Sequence, residues 1–73
     1  MKNIGDKIKI RTDLIVGETY GLHCFNSDMQ EFAGQELEIT AVIDDYDMDS
    51  NVIGQHYRVT GNYWDWTEQM FEN

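Results

Sequence analysis

The chain has 73 residues, enough for one small domain and too few for a second. Five Lys and Arg against 14 Asp and Glu give a formal net charge of −9, which disfavours direct binding to nucleic acid or to an anionic membrane. A hydrophobic fraction of 41% excludes a disordered acidic tail, so we expect a single folded domain over residues 1–73.

The apolar runs and the cysteine content bear on location. No apolar run exceeds three residues, so we expect neither an export signal nor a membrane segment. Cys24 has no second cysteine for an intramolecular disulfide, which suits a reducing cytoplasm. We therefore expect a cytoplasmic protein.

The first third of the chain predicts one strand and an irregular loop. Residues 7–11 alternate charged and apolar side chains, which predicts a strand with Ile8 and Ile10 facing inward. Glycines interrupt residues 12–21, which favours an ordered loop or irregular hairpin. Residues 22–25 predict a short strand in which Cys24 is a small core residue.

A helical turn is predicted next, followed by the clearest strand. Asn26 or Ser27 caps the turn, and Gly34 ends it after Met29 and Phe32 on the buried side. Residues 36–42 alternate strictly, with Leu37, Ile39 and Ala41 on one face.

The last third predicts a connection, a strand and an aromatic C-terminal segment. Residues 44–54 are polar and predict a solvated link, and residues 56–60 resume the alternation with Tyr57 and Val59 inward. Trp64 and Trp66 share a face if their segment is extended, and a capped turn at Thr67 ends the chain.

Short strands with one helical turn predict a mostly β fold. A small antiparallel SH3-like barrel fits this length best, with an OB-like barrel as the alternative. The predicted core consists of Ile8, Ile10, Leu37, Ile39, Tyr57, Val59 and Trp66.

The charge is distributed unevenly along the chain. Residues 1–11 have a formal charge of +3, whereas residues 12–73 carry Arg58 alone against 13 acids, a formal charge of −12. Such a surface can mimic nucleic-acid phosphates and occupy the basic channel of a nucleic-acid-binding protein, or it can serve solubility alone. The best candidate for a partner-binding loop is an acidic stretch with one tyrosine: Asp44, Asp45, Tyr46, Asp47 and Asp49.

The sequence contains only parts of the residue patterns that are typical of metal sites and catalytic nucleophiles. Residues 45–49 resemble the opening of a calcium loop, but Ser50 replaces its glycine and His56 its terminal glutamate. His23 and Cys24 are adjacent, so on a strand they point to opposite faces and form no catalytic dyad. Zinc-ligand spacing is lacking as well. We expect no metal, cofactor, small-molecule substrate or enzymatic activity.

Aromatic residues offer a second candidate surface. Tyr20, Tyr63 and Trp64 can form a shelf for a peptide or an assembly subunit, whereas Trp66 is expected to be the more buried tryptophan.

The order of residues resembles a group of small proteins of phages and prophages of Gram-positive bacteria, which are thought to be SH3-like. The resemblance covers nearly the whole chain. The residues that carry it are Gly5-Asp6-Lys7-Ile8-Lys9-Ile10, Asp13-Leu14, Gly17, Tyr20-Gly21, Phe25, Met29, Gly34, Ile39, Tyr57, Trp66-Thr67 and Met70-Phe71.

The resemblance implies a phage accessory protein that acts in the host cytoplasm by binding other proteins. Such accessory proteins include inhibitors of host defence, among them anti-CRISPR proteins. The leading hypothesis is a non-enzymatic protein whose acidic surface blocks a basic patch on a host protein, such as a nucleic-acid-binding effector. The alternative is an SH3-like adaptor or phage assembly subunit that uses the aromatic shelf.

Overall fold

The computed structural model describes residues 2–72, which are mostly β with antiparallel strand pairing, as predicted. The helical elements among these residues are two short 3₁₀ turns, Met29–Phe32 and Glu68–Met70. The strands are β1 (Lys7–Lys9), β2 (Thr19–Tyr20), β3 (His23–Cys24), β4 (Glu36–Tyr46) and β5 (Val52–Val59).

The main sheet has the order β1-β4-β5, and β4 and β5 form a long hairpin. The link predicted over residues 44–54 was therefore wrong in part, because residues 44–46 continue β4, residues 52–54 begin β5, and only residues 47–51 form the turn. Ile8 pairs with Leu37, and Ile39 pairs with Val59, so these residues bring β1, β4 and β5 to one core. The register between β4 and β5 shifts between Ile39 and Ala41. Because a bulge changes which side chains face the core, Val42 packs against the core instead of the predicted Ala41.

The strands β2 and β3 form a small separate hairpin whose turn contains Gly21 at a φ of 68°. Of the loop or irregular hairpin predicted for residues 12–21, only Thr19–Tyr20 form a strand. This strand pairs with His23–Cys24, which lie in the short strand predicted for residues 22–25. The prediction for Cys24 was wrong, since this residue is exposed while Phe25 is fully buried. Neighbouring extended residues face opposite ways, and the larger apolar ring takes the core position.

The first 3₁₀ turn lies between Asn26 and Gly34, as predicted, but its N-cap position is Asp28, whose side chain makes no capping hydrogen bond. The Asn26 side-chain oxygen accepts a hydrogen bond from the Met29 N–H at 2.9 Å, and Met29 is buried. Gly34 follows the turn at a φ of 80°, which a residue with a Cβ rarely adopts. Its N–H donates to the Ile10 carbonyl at 2.8 Å, so the turn is fixed to the segment after β1.

The C-terminal segment hydrogen-bonds to both sides of the main sheet. Trp66 forms an isolated antiparallel bridge with Tyr57 of β5, and Phe71 forms another with Ile10 just after β1. Of the predicted core, only Leu37 is half-buried rather than buried. The buried apolar residues are Ile8, Ile10, Leu14, Phe25, Met29, Ile39, Tyr57, Val59, Trp66, Met70 and Phe71.

No helix within residues 2–72 is long and apolar enough to cross a membrane.

Candidate functional site

The outer half of the β4–β5 hairpin, residues 43–53, forms a surface that we call the hairpin tip. None of its residues belongs to the hydrophobic core of the described chain. Its apolar side chains are solvent-exposed: 58% for Tyr46, 102% for Met48 and 55% for Val52. The sequence places no Lys or Arg in this segment. The hairpin tip therefore combines exposed apolar groups with a high density of carboxylates.

The turn of the hairpin tip is organised by Asp47. One carboxylate oxygen accepts hydrogen bonds from the N–H groups of Asp49 and Asn51, both at 2.9 Å. The other oxygen accepts from the Asn51 side-chain amide at 3.3 Å. Ser50, between Asp49 and Asn51, has a φ of 65°. Asp47 thus shapes the loop in addition to carrying charge.

Acid titration should reveal this role of Asp47. Hydrogen bonding from Asn51 is the main cause that lowers the pKa of the Asp47 carboxyl from its ordinary value of 3.8. Because this pKa is lowered, the ionised Asp47 carboxylate contributes fully to the stability of the folded protein above pH 3.8. This contribution is lost as the pH falls through the lowered pKa.

We expect the Asn51 amide resonance to titrate below pH 3.8 in an NMR pH series. In Asp47→Asn, which has no titrating carboxyl at this position, that transition should disappear. A midpoint at or above the ordinary Asp value in the parent protein would contradict this role.

All five Lys and Arg side chains lie outside the hairpin tip, and four of them pair with carboxylates elsewhere. Within residues 2–72, none of the ion pairs formed by Lys or Arg includes an acid of the hairpin tip. The pairs are Lys7–Glu38, Lys9–Glu72, Arg11–Asp13 and Arg58–Asp65. Asp44 instead accepts a hydrogen bond from the neutral amide of Gln55 at 2.8 Å. The negative charge of Asp44, Asp47 and Asp49 is therefore not neutralised by a cationic side chain of the described chain.

Asp45 differs from the other tip acids because it contacts two histidines. Its Oδ1 lies 2.8 Å from Nδ1 of His56 and 3.2 Å from Nε2 of His23. The Asp45 side chain is only 18% exposed, and the His56 side chain 10%. One ligand atom from each of the three residues lies within 4.8 Å of the others. We call this group the histidine–aspartate cluster.

A second carboxylate faces the opposite nitrogens of the two imidazole rings. Asp65 Oδ1 lies 3.5 Å from His56 Nε2, and Asp65 Oδ2 lies 3.9 Å from His23 Nδ1. The Arg58 Nε donates to Asp65 Oδ1 at 2.7 Å, which holds this carboxylate in place. The ring centroids of the histidines are 4.6 Å apart. Each imidazole therefore lies between two carboxylates.

Comparisons with protein-family models, curated proteins and solved structures found no match.

The three residues of the predicted aromatic shelf differ in exposure. Tyr63 is 89% exposed and Trp64 37%. Tyr20 is half-buried, and its hydroxyl oxygen accepts a hydrogen bond from the Ile15 N–H at 2.9 Å. The ring contacts among residues 2–72 do not join Tyr20 to Tyr63 or Trp64. Tyr63 and Trp64 remain available as a smaller aromatic surface.

The sequence reasoning missed the histidine–aspartate cluster because its members are far apart in the chain. Their grouping follows from strand register: Ile43 pairs with His56, which places His56 diagonally opposite Asp45. The β2–β3 hairpin then brings His23 to the same place. A symmetric hairpin centred on residues 47–51 would pair Asp45 with Ile53 and place His56 on the opposite face. The register shift between Asp45 and Tyr46 brings His56 to the face of Asp45, and nothing local predicts this shift or the approach of His23.

Proposed function

We propose that this protein is a non-enzymatic binding protein of the phage accessory type, which uses the hairpin tip to block a basic patch on a host protein. The observation that carries the proposal is the uncompensated negative charge of Asp44, Asp47 and Asp49 beside exposed apolar side chains. The protein would act in the cytoplasm of the bacterial host, and a nucleic-acid-binding defence effector, as for an anti-CRISPR protein, is the partner class that this chemistry fits.

The charge supports the choice of a basic partner. Carboxylates on a folded surface accelerate association with a Lys- and Arg-rich site, because long-range attraction guides the encounter. Within the hairpin tip, Asp47 also fixes the turn, so the surrounding charges are presented in a defined arrangement. A rigid display of carboxylates resembles the phosphates of a nucleic-acid backbone more closely than a disordered acidic tail does.

The exposed apolar side chains support a protein partner. Tyr46 pairs with Val52 across the hairpin, and Met48 stands at the turn. Tyrosine and methionine are enriched in protein interfaces, where an apolar centre supplies affinity and a charged rim supplies specificity. Exposed tyrosine and methionine side chains do not improve solubility, so solubility alone does not explain this surface.

The finer fold that we infer is an SH3-like barrel. The C-terminal segment supports it, since its hydrogen bonds reach β5 through Trp66 and the end of β1 through Met70 and Glu72. β1 pairs with β4, β4 pairs with β5, and the C-terminal segment links β5 back to the residues at the end of β1. The hydrogen-bonded segments therefore surround the core. Such an arrangement protects the sheet edges that an open three-stranded sheet would expose.

A second candidate function is an adaptor or assembly subunit that binds a peptide through Tyr63 and Trp64. The exposure of Tyr63 favours it, because a large aromatic ring in solvent is a typical binding group. This surface would act mainly through apolar contact, so its binding should depend little on salt.

Salt dependence tests the proposed function once a partner has been captured from host lysate and purified. Raising the salt from about 0.1 M to about 1 M shortens the Debye length from about 10 Å to about 3 Å. We expect surface plasmon resonance to show a steep fall in the association rate over this range and a smaller change in dissociation. Association that is insensitive to salt would contradict binding through the hairpin tip and favour Tyr63 and Trp64.

A further inference from the structure

The histidine–aspartate cluster contains the donor atoms of a transition-metal site. Imidazole nitrogens and a carboxylate oxygen are common ligands of Zn²⁺, which binds them at about 2.0–2.1 Å. Two ligands of a tetrahedral ion then lie roughly 3.3 Å apart. In the structure, Asp45 Oδ1 is 2.8 Å from His56 Nδ1 and 3.2 Å from His23 Nε2. All three ligand atoms lie within 4.8 Å of one another, so side-chain rotations that move the two imidazoles closer together would bring them to ligand spacing.

The position of Asp65 provides a second, independent indication. A histidine that binds a metal through one ring nitrogen usually donates its other N–H to a carboxylate or carbonyl. Asp65 stands at the far nitrogen of both rings, at 3.5 Å from His56 and 3.9 Å from His23. The same carboxylate is held by Arg58 at 2.7 Å. One oriented group thus faces the outer nitrogens of both proposed ligands.

The local charge also favours a divalent cation. With neutral imidazoles, the carboxylates of Asp45 and Asp65 and the guanidinium of Arg58 leave one negative charge. The side chains of His23, Asp45 and His56 are 23%, 18% and 10% exposed, so the site is partly shielded from water. None of the three side chains is completely buried.

We propose that His23, Asp45 and His56 bind one divalent transition-metal ion of the Zn²⁺ type, with Asp65 as the group that orients both rings. Water would supply the remaining ligand. The ion would join β3 to the β4–β5 hairpin. The site shares Asp45 with the hairpin tip, but binding of the ion uses none of the charges of Asp44, Asp47 or Asp49, on which the proposed partner binding depends.

Metal titration of tag-free protein tests the site. Cys24→Ser serves as the parent, so that the exposed thiol cannot bind the metal. Isothermal titration with Zn²⁺ should show one ion bound per chain. Asp65→Asn should weaken binding by about 10–100-fold, as expected for an orienting carboxylate. His23→Gln and Asp45→Asn should weaken it more, and the neighbouring control Asp44→Asn should leave affinity unchanged.

Two further measurements keep the test independent of variant folding. In the Cys24→Ser parent, bound Co²⁺ should give the visible absorption of a four-coordinate site. Zn²⁺ should also shift the ring resonances of both His23 and His56 in NMR spectra. The absence of a saturable one-to-one phase would overturn the proposal. So would unchanged affinity in folded His23→Gln and Asp45→Asn, or ring shifts in neither histidine.

Discussion

Replacing Trp66 with Ala is expected to lower the free energy of unfolding by about 3–5 kcal/mol. Trp66 is fully buried and makes ring contacts with Phe25 and Phe32, at centroid distances of 6.5 and 6.1 Å. Its indole N–H donates to the Asn62 side-chain oxygen at 2.9 Å. Truncation leaves a cavity between segments that are distant in the chain, and the loss is large beside a small domain's total stability of about 5–15 kcal/mol.

Urea unfolding followed by circular dichroism measures this effect without relying on tryptophan fluorescence. Tyr63→Ala is the matched control, since it removes a ring from the same segment at a position that is 89% exposed. Its effect should stay within about 0.5 kcal/mol. Equal losses in the two variants would show that Trp66 does not anchor the core. Loss of folding in Trp66→Ala, with Tyr63→Ala folded, would agree with the prediction.

The second large effect concerns binding rather than stability. Changing Asp44, Asp47 and Asp49 together to Asn should slow association with the basic partner by about tenfold or more at low salt. Asn retains a side-chain oxygen at position 47, so the turn hydrogen bonds from Asp49 and Asn51 can persist. Removing neighbouring like charges also relieves repulsion. The ionised Asp47 carboxylate, whose pKa is lowered by the turn hydrogen bonds, is lost at the same time, and this loss opposes the relief of repulsion. Thermal stability at neutral pH should therefore change little, while association slows.

A control of equal net charge separates the local surface from the overall field. Asp28→Asn, Glu31→Gln and Glu36→Gln remove three carboxylates from exposed positions outside the hairpin tip. This control should retain most of the association rate, measured by surface plasmon resonance with the captured partner. Asp45 is unchanged in both triple variants because it contacts the histidines. Equal slowing in both would mean that net charge, not the hairpin tip, guides binding.

Sequence patterns alone predicted the inner parts of β1, β4 and β5 and most of the core, but not the outer half of the β4–β5 hairpin. Alternation is a local property, so Ile8, Ile39 and Val59 could be placed inward without knowledge of their neighbours. The places of Asn26 and Gly34 at the two ends of the first 3₁₀ turn could be predicted for the same reason, since capping interactions span only three or four residues. The acidity of the hairpin tip also followed from composition.

The contacts of Asp45 and the facing of the β4 side chains after Ile39 depend on tertiary packing. The bulge after Ile39 depends on how β4 meets β5, and alternation alone cannot reveal an inserted residue. Asp45 was predicted to be a charge for a partner, but it contacts His56 and His23, which lie 11 and 22 residues away in sequence. Those contacts require the register of one hairpin and the docking of another. Both the register and the docking depend on packing between segments that are distant in the chain, and local sequence patterns do not predict such packing.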